Sequence, residues 1–474
     1  MTGSGASSGS TLRVVFVSAE FAPVVKVGGL GEAAAGLVNA LRSAGVIVDV
    51  IVPDYDGQPL QGEVREPLAV PGWVGPALAR HGVVGGAGEV TLVNVPGIRR
   101  AHPYVNPATG QGWPDNAHRF FAFSAAVAQL LALDPPDVVH LNDWHTAGVL
   151  AFAEPSLPSV LTIHNIAHQG WSNLGWLDPL GSRAASFERD GQVNALAGGI
   201  RLAGTVVAVS PSYANEILHT DTGCGLSDLL AAKHDSFVGI RNGIAHGEWN
   251  PRADRHLSTP FNFEDLSGKR VARQRLLEET GLEARGGPVI GMVSRLDTQK
   301  GIDIALSIAD VLNSLPARLI LHGSGSPSIA RQAREVAGNH SASLKVLDGY
   351  RDDTAHRIMA GSDLVLIPSR FEPCGLTQMQ AMTYGTIPVV TDVGGLRDTV
   401  IDLDRNSRRG TGFIADWADP ASVTDALCRA VRGWRNPQRR ASAQRRGMTT
   451  DWSWAGPATQ YVDVYHDVIA RHGR

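Results

Sequence analysis

The stretch Pro368–Pro388, P-S-R-F-E-P-C-G-L-T-Q-M-Q-A-M-T-Y-G-T-I-P, decides how the rest of the chain is read. An apolar strand, Leu364–Ile367, runs into it, and helix-forming residues from Leu376 to Tyr384 leave it, closed by Gly385. Such a strand-to-helix turn exposes unpaired backbone N–H groups at the helix start, where the dipole favours anions. Glu372 lies just before the helix, and Cys374, Gly375 and Thr377 occupy the turn. A carboxylate beside an anion-accepting turn suits a ligand that carries both hydroxyls and phosphates, as a nucleotide-sugar does. The same residues also suit an ordinary helix start in any α/β protein.

Around this stretch runs a series of strands that each finish in a Gly-containing polar turn. Val289–Val293 ends in S-R-L-D-T-Q-K-G, Arg318–Leu321 in H-G-S-G-S, Leu344–Leu347 in D-G-Y-R, and Ile387–Val390 in T-D-V-G-G-L-R-D. Five such strands describe a doubly wound domain that holds its ligand at the strand ends. The first half repeats the theme. Strand Leu12–Val17, helix Gly31–Ser43 and strand Val46–Val52 form a βαβ unit, and the loop between strand and helix carries Lys26, Gly28 and Gly29. Glycines there let the backbone approach a ligand and a lysine can neutralise a phosphate, although Gly-Gly at a βα turn is also simply a turn.

Residues 56–117 are Gly- and Pro-rich with broken periodicity and read as an irregular insertion. A helix follows over Asn116–Leu133. Strand Asp137–Leu141 then ends in N-D-W-H and strand Ser159–Ile163 in H-N-I-A-H-Q-G, which brings Asp143, His145 and His164 to one rim of a sheet. Arg241–Leu257 reads as the crossing between domains. The final segment, Asp451–Arg474, carries Tyr461, Val464, Tyr465 and Val468 at helical spacing and reads as a packing helix.

With 474 residues, 43% hydrophobic, 19% charged and rich in glycine, the chain has the composition of a two-domain globular protein. A formal charge of −4 offers no basic field for nucleic acid or anionic lipid. No apolar run approaches the roughly 20 residues of a spanning helix. Cys224, Cys374 and Cys428 are too few and too scattered for a disulfide scaffold or zinc site, which fits a cytoplasmic protein. Met1–Thr11 reads as a disordered Gly/Ser/Thr tail without the features of a signal peptide.

These pieces together resemble the bacterial glycogen synthases and plant starch synthases, retaining glycosyltransferases of the GT-B fold. The resemblance rests on K-V-G-G-L-G (26–31), N-D-W-H-T-A (142–147), H-N-I-A-H-Q-G (164–170) and V-S-P-S-Y-A-N-E-I (209–217). It continues in S-R-L, Q-K-G, D-G-Y, S-R-F-E-P-C-G-L-T-Q and V-G-G-L-R-D-T-V (393–400). It implies an α/β protein of two Rossmann-like, doubly wound domains facing across a cleft. Residues 12–250 would form the acceptor-side domain, 251–450 the donor domain, and 451–474 a helix crossing back to the first.

The resemblance also implies a nucleotide-sugar donor of the ADP- or UDP-glucose type and transfer to an α-1,4-glucan end, with no cofactor and no metal. Arg295 and Lys300 would hold the diphosphate, Tyr350 would stack on the base and Glu372 would bond the sugar hydroxyls. Backbone at Cys374, Gly375, Leu376 and Thr377 would touch sugar and phosphate. Lys26, Gly28 and Gly29 would close over the phosphates, His164 would approach the transferred sugar, and Asp143 would lie nearer the acceptor. Two D-x-D triplets, Asp54–Asp56 and Asp402–Asp404, have the spacing of metal-dependent transferases but sit at turns without a phosphate context.

Several positions depart from the family pattern. Glu32 replaces an aspartate, Ala245 the last residue of N-G-I-D, Ala197 a lysine, Ser227-Asp228 part of G-L-D-G, and Gln380 a second glutamate. With the phosphate set intact and the sugar side altered, an alternative is a glycosyl- or pseudo-glycosyltransferase that joins an activated sugar or cyclitol to a small amino sugar.

Overall fold

Val14–Val17 and Leu364–Ile367 are apolar at every position and buried on both faces, as strands of a helix-covered parallel sheet must be. The computed structural model describes residues 11–283 and 286–473, so residues 1–10, most of the expected disordered tail, lie outside the described residues. The chain divides into two units. One comprises Met1–Val209, Ala214–Asn242 and Trp454–Arg474, the other Ser210–Tyr213 and Gly243–Ser453.

In the first unit the strands are β1 (Arg13–Val17), β2 (Ile47–Pro53), β3 (Gln61–Leu68), β4 (Ala77–Val84), β5 (Gly88–Asn94), β6 (Val138–Asn142) and β7 (Ser159–Ile163). They are followed by β8 (Trp171–Ser172), β9 (Glu188–Arg189), β10 (Gln192–Asn194), β11 (Thr205–Ala208) and β12 (Phe237–Gly239). Among the described residues, nine form one sheet in the order β12-β11-β7-β6-β1-β2-β5-β4-β3, and β8, β10 and β9 form a small second one. The insertion expected to be irregular therefore carries β3–β5, with β3 and β4 antiparallel at the sheet edge. Its alternation was obscured because β3 is an edge strand whose residues are mostly exposed, so both of its faces are polar.

The second unit holds β13 (Val289–Val293), β14 (Arg318–Gly323), β15 (Leu344–Asp348), β16 (Leu364–Ile367), β17 (Ile387–Thr391) and β18 (Phe413–Ala415). They form a parallel sheet in the order β15-β14-β13-β16-β17-β18. The chain moves outward one way from β13 and the other way from β16, so the order reverses between these neighbours. Ligands of doubly wound sheets bind at such a reversal, beyond the carboxyl ends of the two strands. In the first unit the reversal lies between β1 and β6. In this second sheet the strand not expected from the sequence is β18, only three residues long and with no periodicity to find.

The helix Ala455–His472 buries Tyr461, Tyr465 and Val468 in one core with Val14, Phe16 and Val160. Its polar anchor is His140, whose Nδ1 is 2.7 Å from the Tyr465 hydroxyl and whose Nε2 is 2.8 Å from Thr162 Oγ1. Burial pushes His140 down to about 3, so the ring stays neutral at pH 7. Among the described residues no helix is long and apolar enough to cross a membrane, and all three cysteines are free.

In the second unit Lys269, on the helix Ser267–Thr280, is fully buried and donates to the Ala360 carbonyl at 3.0 Å and to Thr386 Oγ1 at 2.7 Å. Burial lowers its amine to about 7 from 10.5.

Two predictions follow from these buried polar groups. Tyr465→Phe orphans a ring nitrogen of His140 and is expected to cost about 1 to 3 kcal/mol, read as a lower urea midpoint. Between about pH 7 and 10.5 the unfolded chain holds a proton on Lys269 that the folded chain lacks, so stability should rise with pH across that window. The slope is as much as roughly 1.4 kcal/mol per pH unit and is flat below it. Urea midpoints of Lys269→Met should lose this rise; a midpoint that climbs as steeply as the wild type's would contradict it.

Candidate active site

Beyond β13 the chain runs through Ser294–Gly301, and beyond β16 through Pro368–Gly375, so these two loops flank the order reversal of the second sheet. They are laced together. Arg370 donates its backbone N–H to the Gln299 carbonyl at 2.8 Å and a guanidinium N–H to the Thr298 carbonyl at 2.8 Å. Its other contacts are the two carboxylate oxygens of Asp303 at 2.7 and 2.6 Å. Gln299 Nε2 donates to the Phe371 carbonyl at 2.9 Å. Gly301 lies at φ 66°, and a Cβ there would come within 2.1 Å of the Pro368 carbonyl oxygen, so only glycine lets the loops approach this closely.

The lacing brings two sequence-predicted residues into contact: Lys300 Nζ is 2.6 Å from Glu372 Oε2, with the lysine side chain 18% and the glutamate 8% exposed. Ser369 Oγ donates to the same oxygen at 3.0 Å. Arg295 stands on the exposed side of the first loop, held by Asp297 at 2.8 Å and Gln299 at 3.3 Å.

The turn after Glu372 is shaped by residues that the sequence reading left without a role. Gly375 lies at φ 70°. Gln378, fully buried, donates through Nε2 to the carbonyls of Cys374 and Gly375 at 3.1 and 2.8 Å and to Thr399 Oγ1 at 3.0 Å. Gly395 donates its N–H to the Glu372 carbonyl at 3.0 Å, and a Cβ on it would meet the Cys374 carbonyl at 2.1 Å. That contact explains V-G-G-L-R-D as the support of this turn. Ser210, counted with this unit, donates to the Pro373 carbonyl at 2.7 Å, which gives V-S-P-S its place. The helix begun by Thr377 runs only to Thr383, shorter than the Leu376–Tyr384 span expected.

Tyr350 is 45% exposed and stacks on His322, ring centres 5.8 Å apart and planes 19° apart. His322 lies at the end of β14; its Nδ1 donates to the Leu347 carbonyl at 3.0 Å and its Nε2 accepts the Arg351 N–H at 3.1 Å, so the ring beneath Tyr350 is fixed to the backbone.

In the first unit, the residues beyond β6 and β7 meet. Asp143 is buried and takes φ 57°, a left-handed backbone that aspartate tolerates but seldom adopts. Its Oδ1 accepts the N–H of His164 at 2.7 Å and of Asn165 at 3.4 Å. Burial drives the carboxyl up to about 7, partly offset by those two N–H groups. His164 Nε2 lies 2.9 Å from Asn142 Oδ1, and burial drives the imidazole down to about 3, so at neutral pH it is uncharged. Beyond β1, Lys26 Nζ pairs with Glu32 Oε1 at 2.6 Å. Gly28 and Gly29 stand at the start of the helix Gly29–Ser43, two residues before the predicted start.

Both D-x-D triplets are engaged elsewhere. Asp54 is paired with Arg80 at 3.1 Å and Arg99 at 2.6 Å, Asp402 with Arg429 at 3.1 Å, and Asp404 with Arg429 at 3.0 Å and with Arg439. Among the described residues no group of three His, Cys, Asp or Glu side chains is placed to hold a metal ion.

Residues 13–232 match the family model of the starch synthase catalytic domain, and residues 287–432 that of glycosyl transferases group 1. A glycogen synthase of Dechloromonas aromatica is 38% identical over 97% of this chain and 99% of its own. One of Halorhodospira halophila is 37% identical over 98% and 100%. The catalytic domain of starch synthase IV from Arabidopsis thaliana, solved with ADP and acarbose, superposes with a TM-score of 0.87 at 32% identity over 97% of this chain and 100% of that domain. The sucrose-phosphate synthase of Thermosynechococcus elongatus, at 17% identity and a TM-score of 0.63, shares the fold. With full-length relatives at this identity and the sheet reversals occupied by the matching motifs, the chain belongs to the glycogen and starch synthase family, hexosyltransferases of the GT-B fold.

Proposed function

We propose that this enzyme lengthens α-1,4-glucan chains by moving glucose from a nucleotide-glucose, ADP-glucose foremost, to a chain end with retention at the anomeric carbon. The observation that carries the proposal is the Lys300–Glu372 pair at the order reversal of the second sheet. It puts a cation for phosphate beside a carboxylate for sugar hydroxyls. The relatives named glycogen synthase and the starch synthase domain solved with ADP support this choice of donor and acceptor.

In this mechanism the bond from the anomeric carbon to the β-phosphate oxygen breaks, and a bond to the acceptor hydroxyl oxygen forms on the same face. The acceptor's proton passes to the departing phosphate oxygen. Charge accumulates on that phosphate as the bond breaks, so Arg295 and Lys300 stabilise the transition state more than the bound donor. Lys26 and the backbone at Gly28 and Gly29 add to this from the first unit, and Tyr350 stacks on the base. Glu372 and backbone at Cys374, Gly375, Leu376 and Thr377 hold the sugar. His164, neutral at working pH and with its Nε2 proton given to Asn142 Oδ1, can accept a sugar hydroxyl at Nδ1 without repelling positive charge at the anomeric carbon. Asp143 holds the His164 backbone and faces the acceptor. No step uses a metal, so chelation with EDTA should leave the rate unchanged.

Assayed with ADP-glucose and glycogen, Arg295→Ala and Lys300→Ala are each expected to lower kcat about 10²- to 10³-fold, with the thermal midpoint of Arg295→Ala within a few degrees of the wild type and that of Lys300→Ala lower, because Glu372 is left buried without its partner. Wild-type kcat in both variants would overturn the assignment. Donor consumption with a small amino sugar and no lengthening of glycogen would move the function to the small-acceptor alternative.

A further inference from the structure

Glu20 follows β1, beside the order reversal of the first sheet, and is 4% exposed. Its Oε2 accepts the backbone N–H of Val27 at 2.7 Å and of Gly28 at 2.9 Å, and its Oε1 accepts the hydroxyl of Tyr104 at 2.8 Å. One buried carboxylate thus joins the K-V-G-G loop to Tyr104, 84 residues beyond Glu20 itself. Two further features restrict this loop. Phe21 and Val25 exchange backbone hydrogen bonds of 3.0 and 2.9 Å, closing the chain into a tight hairpin. A Cβ at Gly31 would stand 3.0 Å from the Val25 carbonyl and 3.4 Å from Glu20 Oε2, so the first turn of the helix packs directly on the carboxylate. On the other side the ring of Tyr104 lies 4.8 Å from that of His145. His145 is on the short helix Asp143–Ala147, whose first residue binds the backbone of His164.

A negative charge placed against a loop that meets a diphosphate is electrostatically unfavourable to that ligand. What the carboxylate supplies in return is a loop with few conformations to lose on binding. We propose that Glu20 is a positioning residue: it fixes the Lys26–Gly29 loop relative to Tyr104 and the Asp143–Ala147 helix, so that Lys26 meets the donor in one preset arrangement. This rests on the donor role assigned to that loop above. Glu20 acts through the loop and is given no contact with the reacting atoms.

The test uses Glu20→Ala and Glu20→Gln in the full chain. Glutamine keeps the shape, since its carbonyl oxygen can accept both amides and its NH2 can donate to the Tyr104 oxygen. Glu20→Ala is expected to lower kcat/KM for ADP-glucose about 100-fold, the size of a 1 Å misplacement, through a lower kcat, since Lys26 acts on the departing phosphate, together with a raised donor KM as the loop loses its preset arrangement. Glu20→Gln should recover most of that loss. Hydrogen exchange of peptides spanning residues 25–31 should quicken in Glu20→Ala and not in Glu20→Gln.

If the wild type elongates glycogen and Glu20→Ala does so with unchanged kcat/KM, this inference falls while the glucan-elongating function stands. If the wild type elongates nothing, the function falls, and exchange alone decides: unchanged exchange in Glu20→Ala removes the positioning role as well. Should the alanine variant fail to fold, Tyr104→Phe, which removes one of the three donors, should quicken exchange over residues 25–31 by a smaller factor. No change there overturns the proposal.

Discussion

The contact between Lys300 and Glu372, 2.6 Å long and largely shielded from water, is the constraint around which the second unit is arranged. Taking both charges out of water costs several kcal/mol per ion before their attraction is counted, so such a pair contributes little net stability. The chain nevertheless uses a bidentate Arg370–Asp303 contact, two backbone carbonyls, the Gln299 amide and a left-handed glycine to bring the two loops together. Under the proposed function that arrangement serves a ligand. A nucleoside diphosphate sugar needs a cation and a hydroxyl acceptor at fixed separation, and the order reversal of a doubly wound sheet is where the two strand ends leave room for it.

The first unit applies the opposite electrostatic device at its own reversal. There burial works against charge: it holds His164 down to about 3, neutral at pH 7, and raises Asp143 to about 7. In the proposed mechanism an uncharged imidazole avoids repelling the positive charge that the sugar gains in the transition state. The strained backbone of Asp143 and its bonds to the His164 and Asn165 amides hold that arrangement at a cost in local conformation, as functional sites commonly do.

Much of this was legible in the chain itself. Apolar runs bounded by Gly-rich polar turns reported the parallel strands, because burial on both faces leaves no alternation to misread. The paired loops were visible as motifs whose order along the chain mattered more than any one of them. What escaped was structure whose signal is spatial. The strand Gln61–Leu68 is polar on both faces because it lies at an edge, and Phe413–Ala415 is too short to show a period. Gln378, Gly395 and Ser210 support the Glu372 turn from 6 to 162 positions away, and nothing in their local sequence says so. Glu20 drew no notice in the loop after the first strand because its three donors lie seven, eight and 84 positions further on.

The most direct measurement is mass-spectrometric footprinting of lysine amines by reductive methylation, with and without saturating ADP. Lys300 should lose most of its labelling when ADP is present, while Lys345, exposed on β15, should label equally in both. Labelling of Lys300 that is measurable without ADP and equal with it would contradict a diphosphate site built on its pairing with Glu372.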